Sequence, residues 1–294
     1  MTALKDRLGP VGVWMNQPAD VPLRQLRDTV KAVEDLGYGA FWYAETPRTR
    51  EALVQAGLLL SATETIQIAT GITSVYSRDA IALHAGAATL EEAYPGRFVL
   101  GIGVSHAPAV QSRGHAYGKP VSTMRSYLDA LDEIGPMRTP VVLAALRTRM
   151  LELAAKRAGG AHPYFTPVEH TARARAILGA GPLLAPEVTV VLETDPDRAR
   201  GRARQFMQRY LALDNYRNNL LDLGFGADEL DPEHPSDDVV DRIVAWGDAE
   251  AIAQRVQAHR DSGADHVCLQ ALAEDPAGAV EQLRALAPLL LGRG

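Results

Sequence analysis

The run Gly103-Val104-Ser105-His106-Ala107 sets a serine beside a histidine at the end of an apolar stretch, and several chemistries compete for it. As a nucleophile elbow, G-x-S-x-G, it would hold a serine hydroxyl on a sharp strand-to-helix turn for acyl transfer. The final glycine is missing, though, and Pro108 stands where the helix should begin. A hydrolase would also need an acid and then a histidine downstream, and His259 and His266 fall within a helical and a strand pattern. As a dinucleotide fingerprint, Gly101-Ile102-Gly103-Val104-Ser105-His106 ends in histidine instead of glycine and follows a fourth strand, not a first. Gly114 to Lys119 resembles a phosphate loop, but it is one residue short and Pro120 replaces the Ser/Thr. The eight histidines form no H-E-x-x-H or H-x-H pair, and a lone Cys268 leaves no multi-cysteine site, so no metal is expected. None of these runs is complete, so the chemistry depends on which elements bring residues together.

Those elements alternate. Short apolar runs at Val11-Gly12-Val13-Trp14-Met15, Ala40-Phe41-Trp42-Tyr43-Ala44, Ile66-Gln67-Ile68-Ala69-Thr70 and Phe98-Val99-Leu100-Gly101-Ile102 read as buried strands. Val141-Val142-Leu143-Ala144, a weaker Ala161-His162, Val188-Thr189-Val190-Val191-Leu192 and His266-Val267-Cys268-Leu269-Gln270 continue the series. Amphipathic stretches near 22–36, 50–62, 79–93, 122–134, 147–158, 169–178, from Pro196 onward, 249–262 and 276–290 read as helices. Eight strand–helix units predict a parallel sheet closed as a (β/α)8 TIM barrel, with a doubly wound open sheet as the alternative. Residues 214–246 break the rhythm with Asn, Asp and Pro and no clean strand. They read as an insertion before the eighth strand, covering one mouth of a single domain over residues 1–294.

In such a barrel the chemistry sits at the C-terminal strand ends. Those ends carry Glu45-Thr46-Pro47, then Gly71 to Arg78, Gly103 to His106, Ala145-Leu146-Arg147, and Pro163, Tyr164 and Thr166. Thr70-Gly71-Ile72, Tyr94-Pro95-Gly96-Arg97-Phe98 and Leu100-Gly101-Ile102-Gly103 resemble the luciferase-like monooxygenase superfamily over nearly the whole chain. Gly103-Val104-Ser105-His106-Ala107-Pro108 is most similar to its F420-dependent oxidoreductase branch.

The resemblance implies a flavin-type cofactor, F420 or alternatively FMN, on a non-proline cis peptide joining Gly71 and Ile72. It implies that Glu45 meets the ring edge. Thr46 departs from relatives that place a histidine base there. His106 falls where relatives carry a glutamate acid/base, and its imidazole can exchange protons near neutral pH. Ser74 and Ser105, with Gly103 and Val104 beside them, are expected to face the ring system or the ribityl chain. The diphosphate is expected at the start of the helix after strand five, among Ala144, Ala145, Leu146 and Arg147, where unpaired N–H groups favour an anion. His162, Pro163, Tyr164 and Thr166 would complete the tail site. Trp14 and Trp42 read as barrel core or pocket wall, Tyr76 and Arg78 as lining for substrate space. Arg200, Arg202, Arg204 and Arg209 read as a solvated basic face.

The expected activity is hydride transfer between F420 and a small organic substrate. An FMN-dependent monooxygenase is one alternative, and it would need a separate flavin-reducing partner because no nicotinamide fingerprint is visible. A non-catalytic flavin-binding protein is another. The resemblance also implies a homodimer. The formal charge, 30 Lys+Arg against 36 Asp+Glu or −6, argues against nucleic acid as the main partner. No apolar run approaches a membrane span, no secretory leader is evident, and a lone cysteine suits a reducing compartment, so a cytoplasmic protein is expected.

Overall fold

The computed structural model describes residues 4–16 and 19–292. Helix α1 (Leu4–Leu8) leads into β1 (Val11–Trp14), followed by α2 (Leu23–Asp35), β2 (Ala40–Tyr43), α3 (Ala52–Leu60) and β3 (Gln67–Thr70). A two-residue β4 (Thr73–Ser74) extends β3 after a break, and α4 (Ala80–Ala93), β5 (Phe98–Gly103), α5 (Ala107–Gln111) and α6 (Pro120–Ile134) follow. Then come β6 (Val141–Leu143), α7 (Thr148–Arg157), β7 (Gly160–Ala161), α8 (Val168–Leu178), β8 (Leu183–Leu184) and β9 (Glu187–Leu192). The last third holds α9 (Pro196–Leu211), α10 (Asp214–Asp222), α11 (Asp237–Ile243), β10 (Ala245–Gly247), α12 (Ala249–Asp261), β11 (Val267–Ala271) and α13 (Pro276–Leu291).

Every strand-to-strand pairing is parallel, in the order β10-β9-β11-β1-β2-β3-β5-β6-β7-β8. At one end of this path lies β8 and, beside β10 at the other, β9; the two are one strand interrupted at Ala185-Pro186. Ala185 N donates to Ala161 O on the β7 side (3.0 Å), while Cys268 N donates to Pro186 O on the β11 side (2.9 Å). Pro186 can accept across that seam but not donate, which is why the strand breaks there. Counting β3 with β4 and β8 with β9 gives eight staves, so the ring closes as the expected TIM barrel, and β10 adds a short ninth strand against β9. The seventh stave therefore starts at Leu183, five residues before the apolar run that announced it.

The strands are buried on both faces. Outward residues such as Val13, Phe41, Ile68, Phe98 and Val190 pack under the helices, and inward ones such as Trp42, Ala69, Val99, Val142 and Cys268 fill the barrel. Close packing fixes some inward positions as glycine: a Cβ on Gly101 would lie 1.8 Å from Thr70 O, an impossible approach.

The region 214–246 is not the strandless loop read from its composition. Tyr216 and Leu220 give α10 a buried face, Ser236 caps α11 by accepting from Val239 N (3.3 Å), and β10 closes the segment. With Phe165, Val191 and the buried face of α9, these pieces form an apolar cluster of their own. The basic face of α9 is not simply solvated either. Arg200 pairs with Asp237 (3.0 Å) and Asp241 (2.6 Å), and Arg204 pairs with Asp237, riveting α9 to α11. No helix among the described residues is long and apolar enough to cross a membrane.

Candidate active site

A cavity of about 680 Å³ opens at the C-terminal end of the strands, a volume typical of cofactor and ligand sites. Its base is built on the inward ends of β1 and β3. Trp14 Nε1 donates to Gly71 O (3.1 Å), and the Gly71–Ile72 peptide is cis. Glycine is required at 71 because a Cβ would meet both His162 Nε2 and Trp14 Nε1 at 2.7 Å. Below lies His162, stacked on Trp42 with ring centroids 4.6 Å apart. Its Nδ1 lies 2.7 Å from Ala185 O, which makes Nδ1 the protonated nitrogen and leaves Nε2 a buried acceptor with no partner. Burial outweighs that bond and pushes the His162 pKa down to about 4, so the ring is neutral.

Glu45 reaches the cavity from the end of β2 but is held from behind. Its carboxylate accepts from Ser74 N (3.0 Å), the Thr73 hydroxyl (2.5 Å) and both Arg78 terminal nitrogens (2.5 and 3.2 Å). Burial opposes the charge, but the Arg78 and Thr73 hydrogen bonds prevail and hold the carboxyl below its ordinary range. At neutral pH it is an anchored anion with no proton to give. Arg78 and Tyr76 do not line the cavity. They border a separate open cleft against α6, with Arg78 backing Glu45 from that side.

The wall comes from β5 and β6. Val104, Ser105 and His106 line it, and Ser105 adopts φ +56°, a left-handed conformation that costs a non-glycine residue about 1 kcal/mol or more and persists only where the surroundings impose it. His106 Nδ1 lies 3.1 Å from Asn215 Oδ1 of α10, and its ring sits 5.3 Å from that of Tyr216. Burial lowers the His106 pKa below 6.5, partly offset by the Asn215 bond, so the imidazole is mainly neutral at pH 7. Opposite, Ala144, Ala145, Leu146 and Arg147 lead into α7, whose first amides, at Thr148 and Arg149, have no intrahelical acceptor. Arg147 pairs with Asp222 (2.7 Å) at the end of α10.

Twelve of the residues singled out from sequence thus meet around one cavity: Glu45, Gly71, Ile72, Val104, Ser105, His106, Ala144, Ala145, Leu146, Arg147, His162 and Tyr164. Besides Tyr76 and Arg78, four do not line it. Ser74 holds Glu45 through its backbone, and Gly103 packs between Ile72 and Ala144. Pro163 O accepts from Glu187 N, and Thr166 is buried behind Tyr164 in sequence with its hydroxyl unpartnered.

Sequence reading placed 214–246 over one mouth of the barrel but named none of its residues as site residues; α9, α10 and the turn between them bring Arg209, Tyr210, Leu213, Asn215, Tyr216 and Asp222 over the opening. The Tyr210/Tyr216 pair, flanking Leu211 and Leu213 where the sequence turns polar, was the available signal. Tyr210 OH lies 2.8 Å from Tyr164 OH, which donates to Gln270 Oε1 (2.6 Å), so α9 is stitched to the barrel interior.

A family model for the luciferase-like monooxygenases matches residues 8–266. A protein of Mycobacterium tuberculosis described as a candidate coenzyme F420-dependent oxidoreductase is 27% identical over 165 residues, 56% of this chain and 46% of that protein. The chain aligns with half or less of the length of the curated relatives it matches. Among solved structures, an F420-dependent secondary alcohol dehydrogenase bound to an F420–acetone adduct superposes with a TM-score of 0.76 at 14% identity, covering 96% of this chain and 98% of that one. The oxygenating constituent of a Pseudomonas putida 3,6-diketocamphane monooxygenase, in complex with FMN, superposes with a TM-score of 0.71 at 14% identity, covering 96% and 98%. At such identities the structural likeness speaks for the fold.

Proposed function

We propose that this chain, which belongs to the luciferase-like monooxygenase family, is an F420-dependent oxidoreductase that moves a hydride between the deazaflavin and a small organic alcohol or carbonyl compound. The observation that carries the reading is how chemistry is distributed around one cavity. An aromatic and glycine base lies below, a neutral imidazole stands on one side, and a helix N-terminus with Arg147 and Arg149 stands on another. Those features fit the group. The unpartnered His162 Nε2 awaits a donor, Gly71 lets the base pack directly on Trp14 and His162, and the α7 amides suit a phosphate. Arg149 and Arg209, beyond the Arg147–Asp222 pair, favour a cofactor whose tail carries more negative charge than one phosphate, which supports F420 over FMN. The relative from Mycobacterium tuberculosis points the same way.

Bound there, the deazaflavin supplies the hydride donor or acceptor. The protein's own residues do the remainder. Trp14, Ile72, Val104 and Ala145 exclude water, and the α7 amides with Arg147 and Arg149 fix the anionic tail. His106 Nε2, unprotonated when Nδ1 donates to Asn215, accepts the hydroxyl proton of an alcohol or returns it to a carbonyl oxygen.

Anaerobic mixing of reduced F420, the protein and a panel of small ketones and aldehydes tests this. Reoxidation that needs a carbonyl compound and no oxygen supports hydride transfer. Reoxidation of a reduced flavin only when oxygen is admitted would replace it with a monooxygenase.

A further inference from the structure

We infer that Asn215, carried by the inserted helix α10, is a positioning residue that fixes the tautomer of His106, so that the acid/base of the barrel wall is completed by the insertion. The inference deepens the hydride-transfer reading and rests on it for its catalytic meaning. Its structural content stands apart.

His106 is the last residue before α5 and its side chain makes no cap hydrogen bond to that helix, so nothing on its own element orients the ring. Two contacts from α10 do: Asn215 Oδ1, 3.1 Å from Nδ1, and the Tyr216 ring, 5.3 Å away between centroids. Tyr216 is itself buried against Tyr164, Phe165 and Tyr210, so the helix that presents Asn215 is anchored in the barrel and not free to drift. A carbonyl oxygen at Nδ1 requires the proton there, and the lone pair then lies on Nε2. A barrel histidine with the opposite tautomer would offer a proton where alcohol oxidation needs a base.

The groups packed around the ring carry little charge. Asn215 and Tyr216 come from α10, and Ser105 and Ala107 are its chain neighbours, with Tyr117 donating to Ser105 O (3.2 Å). Burial depresses the imidazolium and the Asn215 bond partly restores it, with no ion pair contributing. The residue at 215 is therefore the main adjustable influence on His106. Asn215→Asp places an anion at Nδ1 and should raise its titration midpoint by a unit or more, roughly tenfold in proton affinity. Asn215→Ala removes the acceptor and should lower it.

The test is nitrogen-15 NMR of the histidine rings in unliganded protein across pH, with His106 assigned by loss of its signals in His106→Gln. The wild type is expected to show the Nδ1-protonated form, Asn215→Asp a midpoint raised by a unit or more, and Asn215→Ala a mixture of tautomers with a lower midpoint. An Nε2-protonated wild type, or a midpoint and tautomer unchanged in both variants, would overturn the inference. No cofactor or turnover enters this measurement, so failure of the F420 reading leaves its outcome readable. If turnover is established, the acid limb of the pH–rate profile should shift upward with the midpoint in Asn215→Asp, which a purely structural role would not produce.

Discussion

His106 and Glu45 are the two ionisable side chains that the strand ends offered for proton work, and their surroundings separate them. Glu45 spends its charge on Arg78, Thr73 and Ser74 N–H and stays ionised, whereas burial keeps His106, at the cavity wall, neutral. On the proposed function, proton exchange accordingly falls to His106. Replacing it with alanine should cut turnover about 100-fold while leaving cofactor affinity within a few-fold, checked by steady-state rates beside a binding titration. In the alcohol-oxidising direction the reaction needs the unprotonated ring. Its midpoint lies below 6.5, so the rate should be flat above pH 7 and fall only as the pH drops through that midpoint. A rate that keeps climbing between pH 7 and 9 would assign the base elsewhere.

At the scale of elements, the barrel was legible wherever a strand is long and buried on both faces. Phe98–Gly103 is one continuous apolar run, as a central parallel strand must be. The two-residue strands Gly160–Ala161 and Leu183–Leu184 have no period to read, so one was placed by rhythm and the other was missed. The insertion was recognised as an interruption but not as helices, because α10 and α11 are nine and seven residues long with Gly224, Gly226, Pro232 and Pro235 between them. The contacts that make the site, His106 to Asn215 and Arg147 to Asp222, join residues 109 and 75 apart and leave no local trace in sequence. The glycines on neighbouring staves report how close the backbones pass. Gly101→Ala should destabilise the protein by roughly 2–4 kcal/mol or prevent folding, because the opposing atom is the Thr70 carbonyl and cannot swing aside. Chemical denaturation measures it, and a loss under 1 kcal/mol would mean that β3 and β5 are packed less tightly.

The molecule as a whole keeps four histidines buried and neutral. Burial lowers His162, His170 and His266 to about 4 and His259 to about 3. Unfolding exposes them to their ordinary value near 6.5, so below that pH the unfolded chain binds protons the folded one refuses. Their stabilising contribution is complete above about pH 6.5 and is lost as the pH falls toward 4, by up to about 1.4 kcal/mol per group per pH unit. Buried Glu187 runs the other way, raised to about 7 by loss of solvent, and is most stabilising when protonated at low pH. Four groups oppose one, so the melting temperature should fall steeply from pH 6.5 to 5. A melting temperature that is level or rising over that range would contradict the assignment of neutral, buried imidazoles.

On the proposed function, the cavity takes a deazaflavin with an anionic tail. Trp14 lies in its base, so its fluorescence should report whatever settles there. The decisive measurement is a pair of titrations of the purified protein, one with F420 and one with FMN, followed by tryptophan emission. Quenching that saturates at micromolar F420 or below, with FMN at least tenfold weaker, is the predicted result. FMN binding as tightly as F420 or more so, or no saturable binding of either, would contradict it.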